Sequence, residues 1–216
     1  MQLSLYIPSL SIFFLFCVVH SMLAAHSAKR NVFTVFPNLK AFYRILYNGI
    51  ALLLLNLFFL FLPADVTLYK TSGTLFVLLA AIQISAAGLA VLTLKGHGSE
   101  FLGFRQIRRY VSFRMQPGYL DEPEKGELRR RGFYRYMRHP LYTFAMIILL
   151  ASPVMTANLL FLTFLTGIYF YTGSFFEERN LIKRFGDNYV TYQAQVPRFL
   201  PRISTLLNSL VPQKNR

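Results

Sequence analysis

The chain has 216 residues, is 54% hydrophobic, and carries 22 Phe and 13 Tyr but no Trp. That profile excludes a compact water-soluble domain and predicts a single membrane domain over residues 1–216. A net charge of +14 invites nucleic acid as a partner, but the positions of the charges give it a different meaning.

Uncharged runs extend from Met1 to Ala25, from Ile45 to Ala64, from Thr71 to Leu94 and from Leu141 to Phe176. The first three match the roughly 20 apolar residues that cross a bilayer, and the fourth is long enough to cross and return. The first run has no Lys or Arg before Lys29 and exceeds a usual leader core, so it is expected to stay as a span. Cys17, the single cysteine, lies inside it and offers neither a disulfide nor a thiolate metal cluster.

Between the runs, residues 26–44 hold four basic and no acidic side chains, and residues 63–70 hold one of each. Residues 95–138 hold eleven basic and five acidic, and the chain from Glu177 onward seven basic and three acidic. Basic excess marks cytoplasmic segments. The expected fold is therefore all-α and integral to the membrane, with five transmembrane helices, the N-terminus outside and the C-terminus cytoplasmic. The positive charge is topological, and no nucleic acid partner is expected.

In the third run Ala81, Ser85 and Gly88 share a helical face, the small-residue spacing that lets membrane helices approach closely. The amides of Asn56 and Gln83 are expected to bond neighbouring helices rather than to line a site. Farther on, Phe101, Phe104, Ile107, Val111 and Met115 recur at helical spacing, with Arg105, Arg108 and Arg109 on another face. This predicts an amphipathic helix in the cytoplasmic interface, ended by Pro117-Gly118. Residues 121–127 form an acidic cluster expected to be an exposed loop, and Arg129, Arg130 and Arg131 satisfy the positive-inside pattern.

At Arg138-His139-Pro140-Leu141-Tyr142, Pro140 suits the first turn of a helix, where its missing N–H costs nothing. The motif thus marks a helix start whose positive end can cradle an anionic group. The run that follows reads as a hairpin, with a first arm from Pro140 to about Met155 and a second from Leu159 to Phe176. Ser152-Pro153 and Thr156-Ala157-Asn158 supply the turn, with Asn158 capping the second arm. Both arms end on one membrane face, which brings Arg138 and His139 to the side of Glu177 and Glu178. Two carboxylates at a span end are unfavourable for insertion unless they pair with arginine or hold a ligand. His20, His26, His97 and His139 show no metal-ligand spacing, so no metal is expected. Gly186 is placed to end one helix and Asp187 to cap the next.

Arg-His-Pro-x-Tyr, then a span, Glu-Glu-Arg-x-Leu, Phe-Gly-x-x-Tyr-x-x-Tyr and Val-Pro-Arg-x-x-Pro recur in order over residues 132–201. This series resembles the isoprenylcysteine carboxyl methyltransferase superfamily. His20-Ser21 at the end of the first span and Phe101-Leu102-Gly103-Phe104-Arg105-Gln106 resemble a narrower branch, the methanethiol S-methyltransferase and NnrU-like membrane proteins. In one departure, Phe144 stands where the family commonly has Gly, two residues after the motif tyrosine.

The resemblance implies methyl transfer from S-adenosyl-L-methionine in a multi-pass protein of the bacterial inner membrane, with a small lipophilic methyl acceptor and membrane lipids as partners. It divides the chain into a three-helix part (1–94), an interfacial segment (95–137) and a cofactor-binding hairpin with a C-terminal helical extension (138–201). It places His139, Tyr142, Glu178, Tyr189 and Tyr192 around the cofactor, with Arg138 or Arg198 on its carboxylate. A methanethiol-like acceptor must lose a proton, for which Glu177, His20 and Arg138 are the candidates. Carboxyl methylation of isoprenylcysteine, phospholipid N-methylation and a non-enzymatic NnrU-like role are the alternatives.

Overall fold

The computed structural model describes residues 3–95, 98–112 and 128–202. Met115, Pro117-Gly118, the acidic cluster and His97 lie outside the described residues. Four helices are long and apolar enough to cross a bilayer: Ser4–Ala24, Tyr43–Leu60, Gly73–Leu94 and Ala157–Phe185. Their outward faces carry large apolar side chains, Phe14 at 68% exposure and Ile84 at 73% among them. Such a surface is stable against lipid and costly against water.

The chain forms two compact units. The first contains α1 (Ile7–Ala24), α2 (His26–Val35), α3 (Tyr43–Leu60), α5 (Gly98–Leu102) and α6 (Phe104–Val111). α1 packs on α3 through aromatic edges, with Phe13 and Phe58 at 5.7 Å and Phe58 fully buried. Tyr43 ties the ends of the two helices by donating to the Leu23 carbonyl at 2.8 Å. Ser9 and Ser11 return their hydroxyls to the Tyr6 and Ile7 carbonyls, which satisfies them inside an apolar helix.

The continuous amphipathic helix expected after Lys95 is broken in two at Gly103. That residue has φ +94°, and a Cβ there would meet Ile45 Cγ1 at 2.9 Å and the Ile45 backbone N at 3.1 Å. Only glycine combines this backbone with so close an approach to α3. The break turns α6 so that Gln106 is buried while Phe104 and Val111 are 60% and 67% exposed.

The second unit contains β1 (Thr67–Lys70), α4 (Gly73–Leu94), α7 (Pro140–Leu150), β2 (Val154–Thr156), α8 (Ala157–Phe185) and α9 (Asp187–Gln195). β1 and β2 pair antiparallel, Thr67 opposite Thr156 and Lys70 opposite Val154, with an irregularity between Thr67 and Tyr69. This ribbon joins the start of α4, the end of α7 and the start of α8. α4 and α7 pack along their length, and the Gln83 amide donates to the Ile148 carbonyl at 2.7 Å. Gln83 is thus interhelical glue, as expected, whereas Asn56 bonds the Leu52 carbonyl of its own helix. Ala81 and Ser85 do face α7, but a Cβ on Gly88 would meet open space, so that glycine is not at a close crossing.

The first hairpin arm is shorter than expected, because the chain leaves the helix at Ala151 to enter β2. The second begins with Thr156 as its cap, its hydroxyl accepting from the Leu159 N–H at 3.1 Å, in place of Asn158, which is buried in the first turn. α8 also continues past Phe176 through both glutamates to Phe185, a length of about 43 Å for its 29 residues. Gly186, at φ +56°, ends α8 and is also the residue before α9, so Asp187 sits in the first turn instead of capping it.

Candidate active site

A strap crosses the start of α7. The backbone N–H groups of Arg138 and His139 donate to the Pro197 and Arg198 carbonyls at 3.0 Å each. Thr143 Oγ1 adds a bond to the Phe199 carbonyl at 2.9 Å. These amides serve the strap and are not turned toward a ligand. The Val-Pro-Arg stretch that the sequence offered as a motif therefore fixes the position of the Arg-His-Pro motif.

Glu178, 3% exposed, is the centre on which the motifs converge. Its Oε1 accepts from Arg138 Nε at 2.8 Å, His139 Nε2 at 3.0 Å and Arg198 Nε at 3.3 Å. Its Oε2 accepts from Arg198 Nη2 and Gln193 Nε2, both at 2.9 Å, and from Arg138 Nη2 at 3.2 Å. Six donors on a carboxylate with about four lone-pair sites leave it no capacity for another partner. Arg138 is equally committed: its Nη1 donates to the Gln193 and Val196 carbonyls at 3.1 and 2.6 Å, so four of its five N–H bonds are engaged. Arg198 differs. Its Nη1 carries no hydrogen bond among the described residues, its side chain is 23% exposed, and its guanidinium lies 3.8 Å over the Phe175 ring.

Glu177 is the preceding residue on the helix and is turned by about 100° from Glu178. Its side chain is 49% exposed, accepts from Tyr142 OH at 3.0 Å and stands 3.5 Å from His139 Nδ1. His139 is therefore bracketed by two carboxylates. Burial pushes its imidazole toward the neutral form, but hydrogen bonds and charge from Glu177 and Glu178 outweigh this and raise its pKa above the usual 6.5. Three rings line the same place: Tyr142 stacks on His139 at 5.2 Å and on Phe170 at 4.3 Å, nearly parallel to both.

Tyr189 and Tyr192 lie beneath this site and not at its opening. They are 1% and 3% exposed in a cluster with Val196, packed by Leu128, Leu181 and Phe185. The Tyr192 hydroxyl donates to the Tyr134 carbonyl at 2.6 Å. Burial raises both phenols, Tyr192 to about 12. His20 belongs to the first unit, where Tyr47 OH engages its Nε2 and Phe16 stacks on it at 5.2 Å. Gln193, Phe170 and Phe175 were missed in the sequence. Phe170 lies seven residues before Glu177, two helical turns along one face, and that spacing was the available signal.

Between them α4 and α7 leave an apolar groove of about 300 Å³. Ala81, Ser85 and Ala86 form one wall and Phe144 and Ile147 the other. Phe144 is 4% exposed and meets Phe133 edge-on at 5.2 Å. The side chain that replaces the family's glycine is thus a packed wall of this groove.

The Phospholipid methyltransferase family matches residues 84–188. The Methanethiol S-methyltransferase of Mycobacterium tuberculosis is 31% identical over 189 residues, covering 86% of this chain and 74% of the relative. That of Crocosphaera subtropica is 25% identical over 88% of this chain and 72% of the relative. Methanethiol S-methyltransferase 1 of Bradyrhizobium diazoefficiens is 28% identical over 87% of this chain, which spans 64% of that relative's length. No solved structure matches. With these relatives, and with the Arg-His-Pro and Glu-Glu motifs joined around buried Glu178, the chain belongs to the isoprenylcysteine-methyltransferase-like family of membrane methyltransferases, alongside the methanethiol S-methyltransferases.

Proposed function

We propose that the protein transfers a methyl group from S-adenosyl-L-methionine to a small lipophilic thiol such as methanethiol, giving a thioether. The single observation that carries this reading is the half-open constellation around Glu177, Tyr142, His139 and Arg198, in a chain whose curated relatives are named for that reaction. The residues fit the cofactor's chemistry. Arg198 keeps a donor for a carboxylate, and Glu177 presents negative charge to a cation. When bound, the cofactor supplies an electrophilic methyl group on a sulfonium. The chain's own residues orient it, exclude water and take up the acceptor's proton.

Glu178 and Arg138 act in this reading by holding His139 and Arg198, and Tyr189 and Tyr192 by seating α9 beneath them. The groove between α4 and α7 supports an apolar acceptor that arrives from the bilayer, and Phe144 limits its size. The chain then crosses the membrane five times in the bacterial inner membrane, N-terminus outside and C-terminus cytoplasmic, with α7 as the short crossing. The ribbon supports this: it ties α4, α7 and α8 on one side, while His139 and Glu178 meet on the other.

Isothermal titration of the detergent-solubilised protein with S-adenosylmethionine, followed by labelled-methyl transfer to methanethiol, an isoprenylcysteine and an aminolipid, tests the proposal. Binding with transfer to the thiol is expected. Binding with transfer only to one of the other acceptors would keep the cofactor and remove the substrate.

A further inference from the structure

The sequence leaves Glu177, His20 and Arg138 as candidates for the acceptor's proton, and the geometry divides them. Arg138 is a permanent cation with four of its five N–H bonds engaged, and it has no lone pair to offer. Glu178 is saturated by six donors. His20 belongs to the first unit, where Tyr47 OH engages its Nε2 and Phe16 stacks on it. Glu177 alone in the cluster is a half-exposed carboxylate with two neighbours, and one of these is an imidazole whose other nitrogen is already fixed.

We infer that Glu177 and His139 act as a coupled proton acceptor for the thiol, with Glu178 as a positioning residue that holds His139 by its Nε2–H. This rests on the thiol reading above. Because the Nε2 proton is directed at Glu178 Oε1, a neutral His139 carries its lone pair on Nδ1, the atom facing Glu177. The thiol S–H bond breaks with its electron pair staying on sulfur, and the proton passes to the Glu177 carboxylate and is shared with His139 Nδ1. The thiolate pair forms the new S–CH3 bond while the sulfonium C–S bond breaks toward the cofactor's sulfur. One proton is released per thioether, through the exposed side of Glu177.

A carboxylate alone is a weak base for a thiol. An imidazole behind it, its pKa raised between two carboxylates, brings the couple's affinity for a proton closer to working pH. Glu177 and Glu178 from α8 set this; the other titratable and charged groups of the cluster are Tyr142 from α7, Arg138 and Arg198 from the motif and the strap, Tyr134 with Arg129 before α7, and Tyr189 from α9. Burial raises the Tyr134 and Tyr189 phenols, and the alkaline-rising limb of activity is assigned to His139, which faces Glu177.

The test uses full-length protein with 13C-labelled histidine, in the wild type and in Glu177→Gln. Removing one carboxylate lowers the His139 titration midpoint read by NMR without ligands, and the alkaline-rising limb of methyl transfer moves down with it, while the rate falls by roughly 10²-fold. Glu177 is half-exposed, so the variant keeps its fold, checked by an unchanged thermal midpoint. A histidine midpoint that shifts while the activity limb stays in place overturns the inference, as does an unchanged rate in Glu177→Gln. Wild-type protein that methylates no thiol refutes the proposed function instead, a separate outcome.

Discussion

The two ends of the second unit hold the same helices together by different means. At the ribbon end the ties are backbone and hydroxyl bonds: Thr71 N–H and Oγ1 on the Pro153 carbonyl at 2.9 and 3.0 Å, Tyr69 OH on the Ser152 carbonyl, and Ala157 N–H on the Val66 carbonyl. At the other end a buried carboxylate binds two arginines, a histidine and an amide. Neutral bonds are sufficient to join helices. Burying charges costs several kcal/mol per ion before their attraction is counted, so an ionic cluster is an expensive way to hold the chain. Among the described residues these ion pairs of the unit gather at this end, where they fix an imidazole and a guanidinium beside Glu177, and this supports the proposed site.

Glu178→Ala should break this comparison most severely. It leaves Arg138, Arg198 and His139 without their common partner, and loss of about 3–5 kcal/mol is expected for an uncompensated buried charge. Thermal unfolding in detergent checks it. Cofactor affinity should fall with it, whereas Glu177→Gln should change stability by no more than about 0.5 kcal/mol. Two adjacent glutamates with equal thermal effects would contradict the division between a clamp and a reacting group.

The pH dependence sharpens the same contrast. His139 has its pKa raised in the folded state, so its stabilising contribution is full below the unfolded value near 6.5 and is lost as pH rises through the folded value. Unfolding midpoints should decline over that window in the wild type, and His139→Gln should remove this part of the slope. A slope unchanged by the substitution would assign it to other groups.

Four long apolar helices, the motif pairing and the meeting of Arg138, His139 and Glu178 were legible because charge-free runs and span ends are one-dimensional signals. What was not legible depends on angles. Glu177 and Glu178 are neighbours in sequence, and only the rotation of α8 shows that one is saturated and the other half-open. Gly103 was hidden inside an amphipathic repeat, since its positive φ answers to the backbone of α3 and not to its own neighbours. The ribbon was missed because its strands, with Thr67 opposite Thr156 and Lys70 opposite Val154, are far apart in sequence and carry no local pairing signal.

At the ribbon end smaller effects are expected. Thr156→Ala removes the cap of α8 and should cost about 1 kcal/mol. Gln83→Leu loses its bond to the Ile148 carbonyl and should cost about 0.6 kcal/mol, the usual size for a polar contact between membrane helices. Neither should alter the pH dependence of activity. A shifted profile in either variant would show that the two ends are coupled.

Methyl transfer to a small thiol is proposed at the Glu177 side of the cluster. Purified wild-type protein and Glu177→Gln, each given labelled S-adenosylmethionine and methanethiol, test it most directly when dimethyl sulfide is followed against pH. Labelled thioether is expected from the wild type, rising with pH through the His139 titration, and roughly 10²-fold less from the variant at equal stability. Cofactor binding without thioether from the wild type at any pH would contradict it.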